Sequence, residues 1–161
     1  MKTNLGPIQG ADIDLFTDLT GKEIVKFVAD MDVDCDGTGG NPHHDPCFQP
    51  DTRLHFQGKA LCAEQVRYVV VPPVVLQRTR GMVLGAMCRC RNQRNGRRAT
   101  AVVGDSGPAR KVGEGSPALC EALGLDPNPN HGGTSDFIIE YEIEVGVPAV
   151  VDGITYALQN S

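Results

Sequence analysis

The stretch GDSGPARKVGEGS, residues 104–116, decides how the rest of the chain is interpreted, because it sets Asp105 and Glu114 nine residues apart in a segment rich in glycine. It follows an apolar, β-branched run that is typical of a strand, so Asp105 is expected at a strand end. Ser116 followed by proline is typical of a helix start, so Glu114 is expected just before a helix. Two carboxylates placed in this way are a candidate acid/base pair, although two solvated loop acids would have the same spacing.

Other segments carry the apolar patterns of strands. Residues 66–76, VRYVVVPPVVL, predict a buried strand that ends at the two prolines, followed by a second extended piece. Residues 81–90 and 99–103 predict a hairpin whose connection contains the Asn95-Gly96 turn signal. Residues 136–145, DFIIEYEIEV, are the clearest alternating strand, apolar on one side and acidic on the other.

The expected fold is mainly β with one or two short helices. Residues 116–123 are the clearest helix, because Gly124 is a preferred C-terminal stop. Six or more strands without repeats or a linker indicate a closed or nearly closed β-barrel, of which the double-psi barrel is one form. We expect residues 1–161 to form a single domain, with residues 1–21 as an irregular N-terminal arm because they are rich in turn formers.

An acidic strand lies before residue 37. The predicted strand over residues 23–29 continues into DMDVDCDG, in which every second residue is acidic. On a strand these aspartates would project from one face: Asp30, Asp32, Asp34 and Asp36. Three interpretations remain open: a calcium loop, although His43 stands where an EF-hand has Glu; a face that binds a cationic ligand; or carboxylates that accept backbone hydrogen bonds.

Composition limits the classes of partner. The net charge of −5 and the pI near 5.3 argue against nucleic-acid binding and suit a cationic ligand better. No run of eighteen apolar residues and no charged-then-apolar leader is present, so we expect neither a membrane span nor a signal peptide in this chain.

The cysteines and histidines leave several alternatives. Six cysteines, at positions 35, 47, 62, 88, 90 and 120, would fit one to three disulfides, and the sequence cannot choose among the pairings. Cys88 and Cys90 face the same side of a strand, which disfavours a bridge between them. A zinc site in the segment HHDPC, residues 43–47, is less favoured than a solvated loop because the spacing is not a known zinc pattern, and no metal or other cofactor is expected.

Four blocks, taken in order, resemble the fungal-type chitosanases of glycoside hydrolase family 75. They are ADMDVDCDG at 29–37, VRYVVVPP at 66–73, GDSGPARKVGEGSPALCEALGL at 104–125, and His131-Gly132-Gly133. The resemblance implies an endo-acting, inverting hydrolase of β-1,4 bonds in chitosan whose catalytic pair corresponds to Asp105 and Glu114. The segment between them is shorter than in fungal members and resembles that of bacterial and phage relatives.

The resemblance also implies roles. An inverting enzyme needs an acid and a base roughly 6.5–9.5 Å apart, which we assign to Glu114 and Asp105 respectively. Chitosan is a polyamine, so the four aspartates of the acidic strand become candidate amine-binding groups, with Asp34 and Asp36 favoured. A secreted, monomeric enzyme without nucleic-acid or membrane partners is expected. The alternatives are a peptidoglycan-cleaving lytic enzyme on a related barrel and a non-catalytic carbohydrate-binding domain, which the absence of Trp counts against.

Overall fold

The computed structural model describes residues 1–34 and 51–160. Twelve strands and two short helices lie along these ranges. The strands are β1 (Lys2–Asn4), β2 (Asp14–Thr17), β3 (Glu23–Val33), β4 (His55–Phe56), β5 (Lys59–Ala60), β6 (Tyr68–Val71), β7 (Ala86–Asn92), β8 (Arg98–Ser106), β9 (Glu114–Gly115), β10 (Thr134–Pro148), β11 (Val150–Val151) and β12 (Ile154–Thr155). The helices are α1 (Pro73–Arg78) and α2 (Pro117–Ala122).

Six of the strands close into a barrel. The order around it is β3, β10, β7, β8, β6 and β9, and β9 pairs with β3 to complete the ring. Neighbouring strands are antiparallel except for two parallel pairs, β6 with β8 and β9 with β3. The expected mainly β fold, a closed barrel with two short helices, is therefore confirmed.

The barrel interior is filled by the alternating apolar residues of the long strands. Along β3 the inward positions are buried and the outward positions are more exposed, as the sequence pattern predicts. Strand β10 supplies a second row of buried residues on the same principle. The rings of Phe27 and Tyr141 stack across these two strands with their centroids 4.5 Å apart. Each fully buried large side chain stabilises the fold by roughly 1.5–3 kcal/mol.

The N-terminal segment departs from the prediction of an irregular arm. Strand β1 pairs with β2, and β2 pairs with the first half of β3, all antiparallel. Ile13 and Leu15 are buried against the core and hold this extension in place. Because the two strands are short and mostly polar, they lack the alternation by which strands are recognised.

The segment after Pro72 was predicted to be extended, and this was wrong. It forms α1, with Pro73 at the first helical position. The N–H group at this position has no partner within a helix, so proline costs no hydrogen bond there. Val75 is buried on the inner side of the helix, and Thr79 Oγ1 donates to the Val75 carbonyl, 2.8 Å away, at its end. Burial of one valine therefore outweighs the strand preference of the run VVL.

The hairpin and the second helix follow the sequence closely. Strands β7 and β8 pair antiparallel around the Asn95-Gly96 turn. Helix α2 begins after Ser116, whose Oγ accepts from the Leu119 N–H at 3.3 Å. Neither helix within residues 1–34 and 51–160 combines the length and the apolar composition that crossing a bilayer would need.

The cysteines in the described ranges are free thiols, at positions 62, 88, 90 and 120. Cys88 and Cys90 are buried with their sulfur atoms 3.7 Å apart and unbridged, as predicted. Cys35 and Cys47 lie outside the described residues, so the predicted disulfides find no support in the part of the chain that the structure describes. The proposed calcium and zinc segments also fall largely in residues 35–50, and no metal-binding cluster occurs in the rest.

Candidate active site

Val70 of β6 lies between the two candidate carboxylates. On one side it pairs with Asp105 of β8, and on the other with Glu114 of β9. Residues paired directly across neighbouring strands project from the same face of a sheet, so both carboxylates lie on the outer face of the barrel beside Val70. Two interstrand spacings put their Cα atoms about 10 Å apart. The structure therefore brings the predicted pair together across one strand.

A β-bulge gives Asp105 this orientation. Val69 pairs with Val103 but Val70 pairs with Asp105, so Gly104 is an extra residue in β8. Without the bulge, Asp105 would share the inward face of Val103. A side chain at position 104 has no room, because a Cβ there would lie 2.7 Å from Leu61 Cδ1. The glycine before Asp105 thus permits the bulge that turns the carboxylate outward.

Asp105 is held by backbone donors. Its Oδ1 accepts from the N–H groups of Arg53, at 3.1 Å, and Ser106, at 2.9 Å. The residue is only 9% exposed. Hydrogen bonds donated to a carboxylate favour its ionised form, whereas burial opposes it.

Glu114 is in a different environment. It lies in the two-residue strand β9, wedged between β3 and β6, and is 8% exposed. Burial raises the pKa of Glu114; the ammonium of Lys111 opposes this, while the negative charges of Asp32 and Asp105 add to it. The net effect is a raised pKa, which suits a group that holds a proton.

Oε2 of Glu114 lies close to Gly107, two residues after Asp105. A Cβ built on Gly107 would lie 2.9 Å from Glu114 Oε2 and 3.1 Å from Val70 Cγ1. The absence of a side chain at position 107 therefore leaves the space that Oε2 occupies. This glycine belongs to the same motif as Asp105, and its role could not be read from spacing alone.

The four aspartates predicted on the acidic strand have different surroundings. Asp32 pairs in register with Glu114 and has a half-exposed carboxylate. Asp30, one pleat away, has its pKa raised to about 6, by burial first and then by the charge of Asp32. Asp34 lies just beyond β3 and is buried, and its Oδ2 accepts from the Tyr68 hydroxyl at 2.9 Å. Asp36 is outside the described residues.

Lys111 contacts the candidate site and was not singled out by the sequence analysis. Its Nζ lies 3.3 Å from Asp32 Oδ2 and 3.2 Å from Glu114 Oε1. It stands three residues before Glu114, a spacing that has no special meaning outside a helix. The interaction could have been found only from the parallel pairing of β3 with β9, which the sequence does not reveal.

A large depression lined by described residues lies elsewhere. It has a volume of about 740 Å³ and lies over β2, β3 and β10, where Phe16, Lys26, Phe137 and Glu142 line it. Neither Asp105 nor Glu114 borders it. The two carboxylates are therefore identified by register and environment, not by cavity size.

Comparison with known proteins gives one partial similarity. No family model matches the chain. Over 83 residues, which are 50% of this chain, it is 35% identical to a protein named endo-chitosanase C from Aspergillus oryzae. The match spans 20% of that protein, so the chain corresponds to about a fifth of the length of this relative.

Proposed function

We propose that this chain is a glycoside hydrolase that cleaves β-1,4 bonds of chitosan by an endo-acting, inverting mechanism, as in the fungal-type chitosanases of family 75. The observation that carries the proposal is the register that sets Asp105 and Glu114 on either side of Val70. The partial similarity to a protein named endo-chitosanase C supports the same reaction class. An extracellular location and a monomeric state remain predictions.

Glu114 is the proposed general acid. Burial disfavours its charged form, so it retains a proton at a higher pH than an exposed glutamate. In the reaction it donates this proton to the glycosidic oxygen as the bond to the anomeric carbon breaks. The leaving sugar then departs with a neutral hydroxyl.

Asp105 is the proposed general base. The N–H groups of Arg53 and Ser106 stabilise its ionised form, which can take a proton from a water molecule. That water attacks the anomeric carbon from the face opposite the leaving group. A Cα separation of about 10 Å, with both side chains on one face, is compatible with the roughly 6.5–9.5 Å between carboxyl groups that leaves room for this water. Val70 provides an apolar floor between them.

Charge favours a cationic sugar polymer at this site. Asp30 and Asp32 extend the acidic surface from Glu114 along β3, and the chain as a whole carries a net charge of −5. We assign amine binding to Asp32, whose carboxylate is half exposed. Asp34, which accepts from Tyr68, is assigned a structural role instead, although the sequence favoured it as a ligand.

The test compares isosteric variants on three polymers: chitosan, chitin and peptidoglycan. Asp105→Asn and Glu114→Gln should each lower the release of reducing ends from chitosan by at least a hundredfold, because each removes one half of the acid/base pair. Asp136→Asn is the matched control, since this exposed carboxylate pairs with Arg94 at the hairpin end of the barrel. Wild-type rates in either active-site variant would reject the assignment. Cleavage of peptidoglycan but not chitosan by the unmodified protein would favour the lytic alternative.

A further inference from the structure

The side chain of Lys111 and the backbone that follows it both make contacts with other segments. Its ammonium group pairs with Asp32 and Glu114, and its side chain is 35% exposed. The neighbouring backbone is fixed as well, because the Val112 N–H donates to Gln9 Oε1 at 3.1 Å and the Asp32 N–H donates to the Gly113 carbonyl at 2.8 Å. The lysine is therefore tied to β3 and to the N-terminal segment.

The two oxygens of Glu114 have different surroundings. Oε1 lies 3.2 Å from Lys111 Nζ, on the side of β3. Oε2 is the atom that a Cβ at Gly107 would approach to 2.9 Å, on the side of the chain that follows Asp105. An ammonium group only donates hydrogen bonds, so the oxygen it contacts is the less favourable position for a proton.

We propose that Lys111 is a positioning residue that holds Glu114 Oε1, so that the transferable proton resides on Oε2, the oxygen on the side of Gly107, two residues after Asp105. This inference rests on the proposed function, in which Glu114 is the acid. The Glu114 carboxyl group then need not rotate before the glycosidic bond is cleaved. Its proton is already on the oxygen nearer to the segment that carries Asp105.

The same contact affects the pH range of the reaction. Glu114 is faced by Asp30 and Asp32 from β3, by Asp105 from β8 and by Lys111 from the connection before β9, while the facing residue of β6 is the uncharged Val70. The carboxylates raise the pKa of Glu114 and Lys111 lowers it, on top of the larger effect of burial. Removal of the ammonium group should therefore raise this pKa further.

The experiment uses Lys111→Met, which keeps most of the side-chain length, and Lys111→Arg, which keeps the charge. Lys22→Met is the matched control, because Lys22 is an exposed lysine that precedes β3 at the end remote from Asp32. Two quantities are measured on the intact protein: the carboxyl ¹³C titration of Glu114, assigned by its loss in Glu114→Gln, and the pH dependence of kcat and kcat/KM on chitosan.

In Lys111→Met we expect the Glu114 titration and the alkaline limit of kcat/KM to move together to higher pH. At the optimum, kcat should fall about tenfold or more because the proton is no longer confined to Oε2. Lys111→Arg should restore most of both quantities, and Lys22→Met should match the wild type.

An unchanged Glu114 titration in Lys111→Met would overturn the inference. So would a uniform loss of kcat at every pH that Lys111→Arg does not restore, since that is the signature of a merely structural role. Failure of the proposed function is separate: the wild-type protein would then release no reducing ends from chitosan, whatever the titration shows.

Discussion

Gly107→Ala tests whether the position of the Glu114 carboxyl controls the reaction. The new Cβ would lie 2.9 Å from Oε2, whereas ordinary contacts begin at 3.4 Å, so the carboxyl must retreat by about 0.5 Å. The end of a glutamate side chain can move this far at little cost, and the φ of Gly107 is not in the left-handed region. The Cβ would also lie 3.1 Å from Cγ1 of the buried Val70, so the free energy of unfolding should fall by roughly 1 kcal/mol, offset in part because alanine restricts the unfolded chain.

The effect on catalysis should be larger than the effect on stability. Since a displacement of 1 Å can cost about a hundredfold in rate, a displacement of half that size should lower kcat by about tenfold, or about 1.4 kcal/mol in the activation free energy. The assay is initial-rate release of reducing ends from chitosan at the pH optimum, with urea unfolding measured on the same samples.

Gly81→Ala provides the contrasting control. A Cβ at that position would lie 2.8 Å from Val145 Cγ1, and Val145 is buried and far less able to move aside. This variant should lose stability while folded molecules keep the wild-type kcat. A Gly107→Ala protein with wild-type kcat, or one whose loss of activity follows only its loss of stability, would refute the reasoning.

Two further predictions concern the aspartates near the site. Tyr68→Phe removes the hydroxyl that donates to Asp34 Oδ2 at 2.9 Å and should lower the free energy of unfolding by roughly 1.5–3 kcal/mol, measured in urea, with the KM for chitosan unchanged; a raised KM at unchanged stability would speak for Asp34 as a ligand. Asp30 has a pKa of about 6 in the folded protein, against 3.8 for an unperturbed aspartate, so its contribution to stability is greatest below pH about 4 and is lost as the pH rises through 6. Asp30→Asn should therefore gain stability relative to the wild type at pH 7 but not at pH 4, and equal differences at both pH values would contradict this.

Much of the fold follows from local patterns. The alternation in β3 and β10, the hairpin of β7 with β8, and the Ser-Pro start of α2 are all encoded in neighbouring residues, and each is observed. Strands β1 and β2 were missed because their residues are mostly polar and gain order only by pairing with β3. Helix α1 was missed because the tertiary burial of Val75 outweighs local strand preference.

The sequence singled out Asp105 and Glu114 as candidates but did not reveal the strand pairing that joins them. The sequence placed Asp105 at a strand end, and the strand is there; it placed Glu114 in a loop, where the structure has the two-residue strand β9. So short a strand has no periodicity, and its position depends on pairing with β3 and β6, which are distant in sequence. The contacts of Lys111 depend on that same pairing.

The stereochemistry of the first product tests the central claim most directly. The reaction of the wild-type protein on a soluble chitosan oligosaccharide would be followed by ¹H NMR from its first minutes, before the free anomers interconvert. Because a whole strand separates Asp105 from Glu114, their spacing is compatible with a water molecule between base and sugar, and the account predicts that the new reducing end first appears as the α anomer. Initial formation of the β anomer would contradict it.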